Sequence, residues 1–338
     1  MSNRLAGKAV VYFGLYEARE VPGVHQKVLG VLSAAKAAGF ETRSWAEPFS
    51  KTAPIGRLAE AISTAPESHV ILRSLGFANL FLLPALMRAR RRGVHVTIDV
   101  PSPNRVAVNE IWSSRQSLWR RVRTVTAFYV SGPWSLWPAS RIVQYASEGW
   151  WFRLGNASRT IEIGNGIDVV SIQPRPRAPA WPSPRLHLVA VASVARWHGF
   201  DRLLRAVREY QDLTDRSCEV HVTIVGDGPS LPQLRELAAS LNLAGHVTFA
   251  GRLTGDALRA IYESAHLAVS SLGLHRIGLE RASVLKAREY CAIGIPFIAS
   301  GHDPDFPHDV PFRLMVSGNE STHELTKILT DYGKYRAR

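Results

Sequence analysis

The chain has little of what would make it secreted, membrane-spanning or metal-bound. Only two cysteines occur, Cys218 and Cys291, both in segments that read as buried. No disulfide framework is expected from them, and a reducing compartment fits. The N-terminus passes from Met1 through Lys8 into a strand-like run without the apolar stretch of a leader. The apolar segment Ser74–Met87 contains Pro84 and is too short to span a bilayer. A cytoplasmic protein is expected. The 12 histidines lack ligand spacing, and neither a Ser/His/Asp arrangement nor a Gly-Lys-Ser phosphate loop appears. No metal site and no cofactor are expected. Acidic residues are short as well: 28 Asp and Glu face 41 Lys and Arg, leaving a net charge of +13.

What is present follows from that imbalance. A strongly basic chain favours an anionic partner, whether nucleic acid, membrane surface or phosphorylated substrate. Nine arginines and only two acids, Asp99 and Glu110, lie between Arg88 and Arg123. In the 109–137 region Trp112, Leu118, Trp119 and Val122 interleave with Arg115, Arg120, Arg121 and Arg123, followed by Phe128, Tyr129, Trp134 and Trp137. That pattern suits a helix lying among lipid headgroups, or a solvated helix face beside an ordinary core. Nucleic acid is not expected as a partner, because no recognised binding motif accompanies the charge. The expected location is the inner face of the plasma membrane, peripherally held.

Hydrophobic residues make up 46% of the chain and aromatics 9%, as in globular proteins. The length of 338 residues favours two domains. Strand-like runs alternate with helical patterns throughout, which predicts βα units and parallel sheets. Five prolines between Pro174 and Pro184 predict a linker. The expected organisation is an acceptor-binding Rossmann-like domain over 1–172, a linker over 173–186, and a nucleotide-sugar-binding Rossmann-like domain over 187–338. The fold class is α/β, two doubly wound parallel-sheet domains. In such sheets ligands bind at the carboxyl ends of strands, so a cleft between the domains is the expected site.

The most informative stretch runs from Gly278 to Ser300. A charged loop opens a short helix, Gly294 stands where a C-cap belongs, and Pro296-Phe-Ile-Ala begins a buried strand. The helix start offers backbone N–H groups and a positive dipole end, with Lys286 and Arg288 close behind, and so suits a phosphate. Glu289 lies roughly 9 Å along the axis from Ser283, a distance that fits the span from a diphosphate to its ribose. Its two oxygens suit a vicinal diol.

Around this helix the turns fall in a particular order: Arg196-Trp-His198-Gly199, Ile224-Val-Gly-Asp-Gly-Pro229, Phe249-Ala-Gly251-Arg252, then the Glu-bearing helix. In that order the second half resembles the retaining glycosyltransferases of family 4, the group 1 type with a GT-B fold. Pro22-Gly-Val-His-Gln-Lys-Val28, Ile98-Asp-Val-Pro-Ser-Pro103 and Ile163-Gly-Asn-Gly-Ile-Asp168 extend the likeness into the first half. Leu272-Gly-Leu-His-Arg-Ile-Gly278 with Ala282-Ser-Val-Leu-Lys286 resembles a branch that builds bacterial surface polysaccharides.

The resemblance implies metal-independent transfer of a hexose from a nucleotide-sugar, UDP- or GDP-linked, to a lipid-linked saccharide with retention of configuration. It implies that Arg196, Lys286 and Glu280 serve catalysis. Donor contacts would come from Glu289, His198, Ser283, Val284, Leu285, Gly251, Arg281, Arg276 and Gly23, and acceptor contacts from His25 and Asp99. Glu289 matches the second glutamate of the family's Glu-x₇-Glu signature. The first falls at Arg281, with Glu280 one place off, so either a register shift brings Glu280 to the sugar or the arginine serves there. His198 stands near a lysine position of the family and would need a phosphate to keep it charged. Two rival readings use the same architecture: a non-catalytic, membrane-associated nucleotide-sugar-binding protein, and a sugar-nucleotide epimerase.

Overall fold

The computed structural model describes residues 8–19, 21–48, 54–112, 114, 116–306 and 310–332. Arg115, one of the basic residues of the 109–137 region, lies outside them. The chain divides into two compact units, Met1–Ile167 and Asp168–Arg338.

The first unit runs β1 (Ala9–Leu15), α1 (Pro22–Ala37), β2 (Glu41–Glu47), α2 (Pro54–Thr64), β3 (His69–Arg73), α3 (Asn79–Arg91), β4 (His95–Val100), α4 (Asn104–Trp112), α5 (Leu118–Ser131), β5 (Arg141–Gln144), α6 (Trp150–Arg153) and β6 (Thr160–Glu162). Its sheet is parallel throughout in the order β2-β1-β3-β4-β5-β6. Strand β1 is buried on both faces, as a central parallel strand must be. Val11 and Phe13 enter a core with Leu58, Ile62, Leu72, Leu82 and Leu86, while Val10 and Tyr12 meet Val28 and Leu32 of α1. The two-residue period of a strand sorts these neighbours to opposite sides.

The second unit runs β7 (Arg185–Val191), α7 (Phe200–Gln211), β8 (Glu219–Val225), α8 (Leu231–Ser240), β9 (Val247–Gly251), α9 (Gly255–Ser264), β10 (Leu267–Val269), α10 (Leu285–Ile293), β11 (Phe297–Ser300), β12 (Arg313–Val316) and α11 (His323–Thr330). The parallel order is β12-β11-β10-β7-β8-β9. The order in which strands are added therefore reverses between β7 and β10, which makes that crevice the topological switch point. Leu186, Leu188 and Ala190 of β7 face the larger core, and Val189 faces a second core with Tyr290, Ile295 and Phe297.

The proline-rich stretch expected as a linker is packed on this second unit. Arg175 donates to the carbonyls of Gly294 (3.1 Å) and Ala265 (2.6 Å), and its backbone N–H donates to Ile293 (3.0 Å). Trp181 lies edge-on to Tyr332, ring centroids 4.8 Å apart.

Candidate functional site

The crevice between β7 and β10 is held by one phenol. The two strands pair at Leu188–Leu267 and Val189–Ala268, then diverge. Beyond the last pair, the Tyr290 hydroxyl donates to the Val269 carbonyl (3.3 Å) and accepts from the Val191 amide (3.3 Å). Tyr290 is fully buried, so the bond pair satisfies backbone groups that the splayed strands cannot give each other. It also fixes α10, and with it Lys286 and Glu289, against the switch point.

The loops on either side of the crevice are zipped together. Leu272 N–H donates to His198 (2.9 Å) and Gly273 N–H to Trp197 (3.2 Å). Gly199 has φ +65°, and a Cβ there would fall 2.8 Å from the Gly273 nitrogen. The Gly-Asp-Gly-Pro turn is explained in the same way. A Cβ on Gly226 would sit 1.8 Å from the Ala192 carbonyl, so its glycines admit the neighbouring backbone.

Within this frame the sequence-derived residues fall into two groups. Arg196, Lys286 and Glu289 keep their charged ends uncommitted. Arg196 is exposed on the turn after β7. The Lys286 ammonium is buried without a hydrogen-bond acceptor among the described residues, 5.6 Å from the Phe200 ring centroid. Burial pushes it from 10.5 down to about 7, against the pull of Glu289. Glu289 is half-buried and makes neither ion pair nor hydrogen bond among the described residues. Burial raises its carboxyl, and Lys286 offsets part of that rise. The amides of Leu285 and Lys286 open α10 and have no partner within the helix.

The other group is already committed. Every N–H of Arg276 is used: Nε and Nη2 on Glu320 (2.8 and 2.5 Å), Nη1 and Nη2 on Asp201 (2.7 and 2.8 Å), and Nη1 on the Arg196 carbonyl (2.9 Å). Its guanidinium is thus committed to tying the Arg196 turn to Asp201 and Glu320. His275 joins it on Glu320 (2.9 Å). His198 is held neutral in the structure without a ligand. It is buried, its Nδ1 accepts the Ala195 N–H (3.1 Å), and burial followed by the Lys286 charge holds its pKa well below the ordinary value.

Ser283 and Val284 are likewise engaged. The Ser283 hydroxyl donates to Asp305 (3.0 Å) and the Val284 amide points to Asp303 (3.4 Å). Both aspartates also grip Arg288. Sequence reasoning missed this acidic clamp, because nothing local marks Asp303 and Asp305 as partners of a helix start.

Glu280 and Arg281 are both exposed. The segment is pinned on both sides: His302 N–H donates to Glu280 (2.7 Å) and Ala282 N–H to His302 (3.0 Å). A shift in register would break both bonds. Gly251, at φ +68°, accepts from the Gly226 N–H (2.7 Å) through its carbonyl.

In the first unit, Asp99 is only 3% exposed. Its carboxylate accepts from the Tyr12 hydroxyl and lies 3.7 Å from the Lys27 ammonium, which sits 3.3 Å from the Tyr145 ring centroid. Turned inward from the inner strand β4, Asp99 ties Tyr12 of β1 to Lys27 of α1. His25 is half-buried against Tyr16, with a ring-centroid distance of 6.2 Å. Gly23 lies exposed at the start of α1, with no atom within 4 Å of where a Cβ would be.

The basic aromatic region leaves several large apolar side chains exposed on this unit. Trp119 is 72% and Trp150 77% exposed, and Trp112, Trp134, Trp137 and Leu118 are exposed with them. Arg120 and Arg123 are exposed on the same helix, α5. No helix among the described residues is long and apolar enough to cross a membrane.

Two doubly wound parallel sheets with a crevice of this kind define the GT-B glycosyltransferase fold. Sucrose-phosphate synthase from Thermosynechococcus elongatus superposes with a TM-score of 0.66 at 15% identity, covering 97% of this chain and 91% of that one. The lipopolysaccharide outer core galactosyltransferase WaaB gives 0.55 at 12% identity, with the same coverage. Within that fold, residues 185–329 match the family model described as Glycosyl transferases group 1.

Curated relatives agree with that match at low identity. A GDP-mannose-dependent alpha-(1-6)-phosphatidylinositol monomannoside mannosyltransferase of Mycobacterium tuberculosis is 29% identical over 173 residues, 48% of this chain and 44% of that protein. Its counterpart in Mycolicibacterium smegmatis is 28% identical over 164 residues, 46% and 42% of the two chains. The matched region thus spans less than half the length of these relatives.

Proposed function

We propose that the protein is a metal-independent hexosyltransferase, moving a sugar from a nucleotide diphosphate to an acceptor hydroxyl with retention of configuration. One observation carries the reading. At the switch point of the second unit, a buried ammonium, Lys286, stands one helical turn from the carboxylate of Glu289, and neither has a hydrogen-bond partner among the described residues. A nucleotide-sugar satisfies both, with diphosphate on the first and ribose diol on the second. The names of the mannosyltransferase relatives favour a GDP-linked donor.

In the proposed mechanism, Arg196, Lys286 and the amides of Leu285 and Lys286 stabilise charge gathering on the departing diphosphate. The acceptor oxygen bonds to the anomeric carbon on the face the phosphate leaves, and the hydroxyl proton passes to that phosphate. The acceptor is a lipid-linked saccharide, used in surface polysaccharide synthesis at the inner membrane face. The exposed tryptophans and arginines of the first unit, and relatives named for a phosphatidylinositol-linked acceptor, support this half.

Two experiments test the proposal. A donor that binds the native state must raise its melting temperature, so a screen of UDP-, GDP-, dTDP- and ADP-sugars should yield a hit. Transfer, or slow hydrolysis, of that donor supports the enzyme; binding without turnover points to a nucleotide-sugar-binding protein. Sedimentation with anionic liposomes at low salt tests the membrane half, which fails if no salt-sensitive binding is seen.

A further inference from the structure

We infer that a nucleotide-sugar docks together with one proton, taken from solvent onto the Lys286 amine. The inference rests on the donor-site reading above and concerns how that site is charged. The groups around the Lys286 amine supply almost no negative charge. On its own helix, Arg288 is turned onto Asp303 and Asp305, which spends those two carboxylates elsewhere. Glu289 is the nearby acid, and it lies beyond ion-pair distance. From the turn before α7 comes His198, whose Nδ1 is occupied by the Ala195 amide, and from the start of α7 the Phe200 ring. From α9 comes Tyr262, a buried phenol beside Glu289 and Tyr290.

An amine so enclosed, with no acceptor for its protons, favours the neutral form until an anion arrives. Burial accordingly brings Lys286 down to about 7. A docked diphosphate carries permanent negative charge at this amine and restores the ammonium. The proton moves from buffer to Nζ, and no covalent bond changes.

The test is titration calorimetry of the wild-type protein with GDP-mannose, and in parallel a UDP-hexose, at pH 8 in buffers of different ionisation enthalpy. The phosphates of these diesters do not titrate near neutrality, so proton exchange reports the protein. The expected slope is uptake of about 0.9 proton per site, and affinity should fall about fivefold from pH 7 to 8 and about ninefold from pH 8 to 9. Lys286→Arg carries a permanent charge and should bind with no uptake and a flat profile over the same range. Binding with zero uptake in the wild type overturns the inference and leaves the donor site standing. Uptake that persists in Lys286→Arg assigns the proton to another group and also overturns it. Failure of both nucleotide-sugars to bind overturns the donor-site reading and this inference together.

Discussion

Replacing Lys286 by methionine should make the protein more stable and less able to bind a donor. Methionine keeps an unbranched stem of similar length against Phe200 and removes the charge that the site disfavours. Folding takes the lysine from 10.5 to about 7, and each pH unit of such a difference corresponds to about 1.4 kcal/mol. The sign follows from the direction. A cation with a depressed pKa penalises the fold fully below the folded value, and the penalty fades as pH rises towards 10.5. The variant should therefore gain roughly 4 kcal/mol over wild type at pH 7 and roughly 2 kcal/mol at pH 9. Urea titrations without nucleotide at the two pH values measure this, and thermal shift with the donor should show the response lost. A variant less stable than wild type at pH 7, or a gain unchanged by pH, would refute the reasoning.

Other expectations follow from the same contacts. Tyr290→Phe strips the Val191 amide and Val269 carbonyl of their buried partner, and should cost about 1–3 kcal/mol in urea titration. Arg276→Lys cannot reproduce five directed bonds, so the Arg196 turn should loosen: donor KM should rise more than kcat falls, and Arg276→Ala should be worse. Glu320 is held at about 2 by Arg276 and then His275, so its contribution is present above 4.5 and lost as pH falls towards 2. An acid-unfolding profile should show that loss in wild type and not in Glu320→Gln. On the first unit, Trp119→Ala combined with Arg120→Gln and Arg123→Gln should lower affinity for anionic liposomes at least tenfold without changing the melting temperature.

Much of the frame was legible because it depends on local pattern. The strand His95–Val100 and the helices around α1, α7 and α10 declare themselves through runs of apolar residues, Pro22 at a helix start and Gly294 at a helix end. Short or weakly marked elements were not read: β12 has four residues, α11 has eight, and α2 buries only Pro54, Leu58 and Ile62. Within the candidate site, the expectation for Lys286 and Glu289 rests on their spacing along one helix, and the structure places both on α10. The state of His198 is not legible, since it depends first on burial in the folded unit and then on Lys286 reaching it from a distant helix. Arg276 was read as a ligand-binding cation for the same reason. Asp201 and Glu320, which consume it, are joined to it only by the fold.

The most direct measurement compares the affinity of a nucleoside diphosphate with that of its 2′,3′-dideoxy analogue, in wild type and in Glu289→Ala. If Glu289 grips the ribose, wild type should prefer the natural sugar by about 10- to 100-fold, a hydrogen-bonded carboxylate's share of roughly 1.5–3 kcal/mol. The alanine variant should bind the two alike. Equal binding by wild type, or discrimination that survives in Glu289→Ala, would contradict the placement of the nucleotide on α10.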